Sequence, residues 1–227
     1  MELGRATWPQ VEATGGAAVL AVPLGSLEQH GPHLPLDTDT RIAVAVASNA
    51  ARRVPALAVA PAVAYGASGE HAGFPGTLLV GHEVLASLLV ELVRSARSSF
   101  GGVVFVSAHG GNETALAAAS ARCAAEGDDV VVWRAASAQG DAHAGRTETS
   151  LMLAIDPDAV AVELAAPGCT EPIERLLPRL RVEGVRPVSS SGVLGDPTGA
   201  SAEEGRALLE HLVAGLATAV TARWPAP

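Results

Sequence analysis

Three short clusters in this sequence carry residue types able to do chemistry. The first is Gly25-Ser26-Leu27-Glu28-Gln29-His30-Gly31-Pro32-His33-Leu34-Pro35-Leu36-Asp37-Thr38-Asp39. Glu28 and His30 lie two residues apart, so in an extended segment both side chains project the same way. A carboxylate beside an imidazole suits a divalent cation such as zinc, manganese or iron. Asp39 follows a Pro-containing turn that can fold it back onto the same ion. The plainer alternative is a solvated polar loop. The second cluster is Ser107-Ala108-His109-Gly110-Gly111-Asn112-Glu113. Two glycines after His109 let a ligand approach the backbone closely. The N–H groups of the helix start behind them can hold an oxyanion. An incidental His in a glycine-rich turn is the alternative. The third cluster is His143-Ala144-Gly145-Arg146-Thr147-Glu148-Thr149-Ser150. Here Glu148 is either functional or only a favourable partner of a helix N-terminus.

Other candidates carry less. His71, in a glycine-rich loop, either lines a pocket or hydrogen-bonds its own loop. His82 and His211 read as surface residues on helices. Arg146 either meets a substrate carboxylate or makes a surface ion pair worth little. Neither Cys123 nor Cys169 has a His beside it in sequence, so a cysteine nucleophile has no local support. No G-x-S-x-G elbow, dinucleotide fingerprint or phosphate loop occurs.

The elements that must position the clusters alternate in type. Apolar runs at Ala17 to Val22, Leu57 to Ala60, Val103 to Ser107 and Val130 to Arg134 read as buried strands. Helical patterns cover Thr40 to Arg53, Gly81 to Phe100, Glu113 to Glu126, Thr147 to Ile155 and Ser201 to Ala222. The last opens on a capping box, Ser201 with Glu204. Residues 135–146 read as a loop, and residues 160–197 are Pro/Gly-rich with no element assigned. This order predicts a three-layer αβα sandwich with a mainly parallel central sheet, in one domain over residues 1–227. Ligands bind such sheets beyond the carboxyl ends of the strands. All three clusters follow strands, which places them on one edge.

Composition narrows the function classes. The formal net charge is -9, and all 15 basic residues are Arg. Lacking Lys, the chain can form no lysine Schiff base. An acidic chain with no basic cluster is a poor nucleic-acid binder. No apolar run is long enough to span a membrane. With two cysteines, no C-x-x-C and no apolar leader, a reduced, cytoplasmic setting is expected.

The block from Gly25 to Asp39 resembles the G-x-x-E-Q-H-G-P-H-L-P-L-x-x-D signature of the creatininase family of metal-dependent amidohydrolases. Phe74-Pro75-Gly76-Thr77, His109 to Asn112 and Thr147 to Ser150 are similar to its later blocks, in order. The resemblance runs from about residue 17 to about residue 210. It implies two divalent ions (Zn, Fe or Mn). Asp39 would bridge them, with Glu28 and His109 on one and His30 and Glu148 on the other. His143 would protonate the leaving nitrogen. A homo-oligomer, often a hexamer, is implied as well. Leu36 to Arg41, Asp141 to Ser150 and Gly192 to Ser201 look like the branch used in mycofactocin maturation. That implies a peptidase whose substrate is a modified precursor peptide and whose product is its C-terminal Val-Tyr-derived piece. One departure stands out: creatinine-cleaving members carry an acid where this chain has Gly111. The chain is also poor in the Trp residues that cover a small flat substrate. A creatinine, formamide or cyclic-amide amidohydrolase is the alternative activity, and a non-catalytic peptide-binding scaffold the alternative of another class.

Overall fold

The computed structural model describes residues 1–135 and 140–225, so part of the expected 135–146 loop, residues 136–139, lies outside the described residues. Four strands form one parallel sheet: β1 (Val19–Leu24), β2 (Leu57–Val59), β3 (Gly102–Ser107) and β4 (Val130–Arg134), in the order β2-β1-β3-β4. The helices are α1 (Trp8–Glu12), α2 (Thr38–Arg53), α3 (His82–Ala96), α4 (Glu113–Ala125), α5 (Arg146–Ile155), α6 (Ile173–Glu183) and α7 (Ala202–Arg223).

Strand side chains alternate between two cores, as a pleat with period two requires. Val19 and Ala21 of β1, with Val104 and Val106 of β3, pack with Val46 of α2, Met152 of α5 and Leu216 of α7. Leu20, Val22 and Phe105 face the other way, onto Leu89 of α3 and Leu116 of α4. The result is the expected three-layer αβα sandwich. Because both sheet faces are covered, β1 and β3 read as unbroken apolar runs.

Two local expectations need correction. β1 does not stop before Pro23; it runs on to Leu24. Pro23 lacks an N–H, but β2 has already ended opposite Ala21, at Val59, so no ladder bond is lost there. Its carbonyl still accepts from Val63 N at 2.9 Å. The stretch 160–197 holds a helix, α6, hidden by Pro172 before it, Pro178 within it and Gly184 after it. Leu176 and Leu180 hold it down on Val185 and Leu194. At α7, Ser201 caps as expected by accepting from Glu204 N. The Glu204 carboxylate turns instead to Arg146 and Ser150. Arg146 is therefore an ion-paired surface residue. Among the described residues, no helix is long and apolar enough to cross a membrane.

Candidate metal centre

The chain segments leaving β1, β2 and β3 are fastened together at the carboxyl edge of the sheet. Asn112 does much of this: its Nδ2 donates to Gly25 O at 3.0 Å and its Oδ1 accepts from Ala67 N at 2.9 Å. Within the first segment, Glu28 N donates to Leu36 O at 3.0 Å, closing the loop that returns Asp39 to Glu28. Asp39 sits in the first turn of α2 and accepts from Ser26 Oγ at 2.7 Å. His33 Nε2 pairs with Thr149 Oγ1 at 2.9 Å, tying the same loop to α5.

Glu28, His30, Asp39, His109 and His143 all converge here and are buried, with Glu28 and His30 at 0% exposure. His30 Nε2 lies 3.1 Å from Asp39 Oδ1, and His109 Nδ1 lies 3.3 Å from Asp39 Oδ2. His109 Nε2 lies 3.2 Å from Glu28 Oε2. His143 Nδ1 is 3.7 Å from Glu28 Oε1, and its ring centroid is 4.4 Å from that of His30. Glu148 joins from the first turn of α5, where its Oε2 accepts from Ala144 N at 2.6 Å. Asp141 binds the same helix start through Arg146 N and Thr147 N, at 2.5 and 3.0 Å. Glu148 thus sits where a helix dipole favours it, and the same turn brings it to this cluster.

His71, which the sequence left as either lining a pocket or bonding its own loop, joins this cluster. It is buried, with Nε2 3.2 Å from Glu28 Oε1. The signal was available: His71 follows β2 as Glu28 follows β1 and His109 follows β3. Gln29, buried against His71 and His143, went unread, as did Asn112, whose partners lie 45 and 87 residues away. Gly111 has no side chain, and the Glu70 carboxylate stands in that space: a Cβ at 111 would lie 2.6 Å from Glu70 Oε1. His82 and His211 are exposed, as expected.

Packing so many titratable groups together shifts them strongly. Burial raises the Glu28 carboxyl despite the nearby His109. Burial opposes a charge on His30 and His109, yet the carboxylates of Asp39 and Glu28 outweigh it and push both rings to about 10. Burial, with His30 and His71 beside it, holds His143 well below its usual range. Burial lifts Glu148 to about 7.

Both oxygens of Glu28 are buried and make no well-aligned hydrogen bond among the described residues, with only His71 and His109 nitrogens 3.2 Å away. An orphaned buried carboxylate costs several kcal/mol, on the order of that for a broken buried ion pair, unless a cation meets it. Three groupings of side chains could hold a metal ion: Glu28–Asp39–His109, His30–His143–Glu148 and Glu28–His71–His143. Oxygen and imidazole donors of this kind suit a borderline divalent ion. The residues present therefore fit such an ion. Asp39, His71, His109, His143 and Glu148 border a cavity of about 840 Å³ that Leu177, Leu180 and Arg181 of α6 also line.

An αβα sandwich with His and carboxylate groups gathered at the carboxyl edge of its sheet defines a metal-dependent hydrolase class. The creatinine amidohydrolase family, described as Creatininase, matches residues 4–220, and the chain belongs to it. It is similar to mycofactocin precursor peptide peptidase from Mycolicibacterium smegmatis, with 49% identity covering 98% of this chain and 91% of that one. It is similar to creatinine amidohydrolase from Pseudomonas putida at 31% identity, covering 98% and 97%. Among solved structures, creatinine amidohydrolase aligns with a TM-score of 0.81 at 29% identity, covering 99% of this chain and 98% of the other. A manganese form of creatininase aligns equally well, at 0.81 and 28%, with the same coverage.

Proposed function

We propose that this chain is a metal-dependent peptidase that hydrolyses the mycofactocin precursor peptide, releasing its modified C-terminal Val-Tyr-derived piece. The observation that carries the reading is the contrast between 49% identity to a peptidase of that name and 31% to a creatinine amidohydrolase, over the same share of the chain. A second observation agrees with it. None of the three tryptophans, Trp8, Trp133 and Trp224, borders the cavity, so nothing aromatic of that size closes over a small flat ring. The cavity volume of about 840 Å³ suits a peptide end.

We assign two divalent ions, zinc, iron or manganese, to the site. The manganese form among the similar structures and a creatininase variant of Zn–Zn type support the choice of metal. Glu28 and His109 would hold one ion, His30 and Glu148 the other, with Asp39 between them. When bound, such ions polarise an amide carbonyl and acidify water, lowering its pKa to about 7 in the best zinc case. The chain's own residues do the rest. Asp39 presents one oxygen toward His30 and the other toward His109, so it can serve both groups. Ala144 N holds Oε2 of Glu148, which fixes its carboxylate for the ion it would share with His30. His143 is the candidate for carrying a proton to the leaving nitrogen. Leu177 and Leu180 would line one side of the bound peptide.

We also expect a homo-oligomer, which the exposed Trp8, Val84 and Leu88 support as an unpartnered apolar face. The test of function is a substrate panel with metal-loaded protein: modified precursor peptide, creatinine and a formamide. Cleavage of the peptide alone is expected. Turnover of creatinine or the formamide in its place would replace the reading, and absence of bound metal would remove it. Asp39→Ala is expected to lose metal and activity together, checked by metal analysis beside the assay.

A further inference from the structure

Four histidines stand close to Glu28 and Asp39, and their outward ring nitrogens do not all face the same kind of group. His30 Nδ1 faces Glu28 O at 3.1 Å and His143 Nε2 faces Gln29 O at 2.7 Å, while His109 Nε2 faces both Ala67 O at 3.3 Å and Glu28 Oε2 at 3.2 Å. A backbone carbonyl only accepts, so each of these rings carries a proton on that nitrogen. The other nitrogen of each faces a carboxylate: His30 Nε2 and His109 Nδ1 face Asp39, and His143 Nδ1 faces Glu28. Imidazoles that hold an ion are almost always anchored in this way.

His71 is the exception. Its Nδ1 lies 2.8 Å from Gln29 Nε2, an amide nitrogen that can only donate. The backbone sets which way round that amide lies. Gly31 N donates to Gln29 Oε1 at 2.9 Å, and Gln29 Nε2 donates to Gly192 O at 3.1 Å. A flipped amide would put donor against donor and acceptor against acceptor. The two amide hydrogens thus go to His71 Nδ1 and Gly192 O. His143 Nε2 is 3.0 Å from the same amide nitrogen, but Gln29 O is closer and takes its proton. Gly192, at φ 85°, makes the arrangement possible, since a Cβ there would collide with Gln29 Oε1. With Nδ1 accepting, the neutral His71 ring carries its proton on Nε2, the nitrogen 3.2 Å from Glu28 Oε1.

We propose that Gln29 sets the tautomer of His71, and that His71 is a positioning residue which presents an N–H to Glu28 and stays outside the ion-holding set. The proposal rests on the metal-dependent reading above and sharpens it. Of the three groupings, Glu28–His71–His143 needs a lone pair where His71 has a hydrogen, and drops out. Two remain.

The experiment is ¹⁵N NMR of the histidine rings in the full chain, metal-free and zinc-loaded, with zinc analysis of variants. His71 is expected as the Nε2–H tautomer in both states. Gln29→Glu, which replaces the amide donor with an acceptor, is expected to move it to Nδ1–H, and Gln29→Met to release it to a mixture should the first variant not fold. His71→Gln keeps an N–H donor and is expected to retain the wild-type zinc-to-chain ratio, with affinity lowered about 10–100-fold. His109→Gln is expected to lower the ratio. A wild-type His71 protonated on Nδ1, or a His71→Gln protein that loses zinc as His109→Gln does, overturns the proposal. If wild-type protein binds no zinc, the proposed function fails, and the tautomer in the metal-free chain still decides this inference.

Discussion

At the residue scale, the site depends on a few backbone positions as much as on its ligand-type side chains. Ala144 shows this. It is fully buried, lies between His143 and Gly145 at φ 51°, and its N–H holds Glu148. A non-glycine residue in that region stores about 1–3 kcal/mol of strain, usually at functional sites. A β-branched side chain raises the cost further. Ala144→Val is therefore expected to destabilise by about 2–4 kcal/mol, from strain and overpacking together. It should also release Glu148. Urea midpoints measure the first effect and zinc affinity the second. Unchanged values for both would deny Ala144 this role.

At the element scale, two junctions set the frame. α5 carries Glu148 and lies across α7, touching it at Gly205, where a Cβ would collide with Ser150 O. Gly205→Ala must push the helices apart. An expected loss of about 1–3 kcal/mol follows from overpacking, despite the better helix propensity of Ala, and thermal unfolding checks it. The second junction joins α3 to the end of α4. Arg94 and Arg97 both bind Glu126, and Arg97 Nη2 also reaches Asp128 at 2.7 Å. These arginines hold the Glu126 carboxyl down at about 2, from an ordinary 4.5. A depressed carboxyl pKa contributes stability above the unfolded value and loses it as pH falls toward the folded one. The stability difference between wild type and Glu126→Gln should therefore be full above about 4.5 and vanish by about 2. The pair is exposed, so added salt should shrink the difference at every pH. A difference independent of both pH and salt would exclude the ion pairs as its source.

At the scale of the whole molecule, three carboxylates and four imidazoles share one buried edge of the sheet. Repulsion between like-charged groups, such as Glu28 and Asp39, and the burial of Glu28 oppose folding until a cation is present. An ion that binds only the folded chain stabilises it by mass action, about 4 kcal/mol at a thousandfold excess over Kd. Chelation is thus expected to lower the melting temperature and abolish hydrolysis, and returning zinc or manganese to restore both. Full thermal stability after complete metal removal would argue against ions at this edge.

The sequence by itself determined the elements, their alternating order and most of the reactive side chains. Those signals are local: period-two and helical patterns, turn residues, and Glu28 spaced from His30. The strand–helix alternation also implied parallel pairing and hence a common edge. Other features belonged to tertiary structure alone. α6 was illegible because Pro178 interrupts its pattern, and its stability comes from packing on Val185 and Leu194. The places of Gln29 and Asn112 were illegible for a similar reason. Gln29 reaches Gly192 across 163 residues and His143 across 114, and no pattern within a segment encodes such partners. Which nitrogen of each ring holds its proton is set by what lies opposite in space, so only the folded chain decides it.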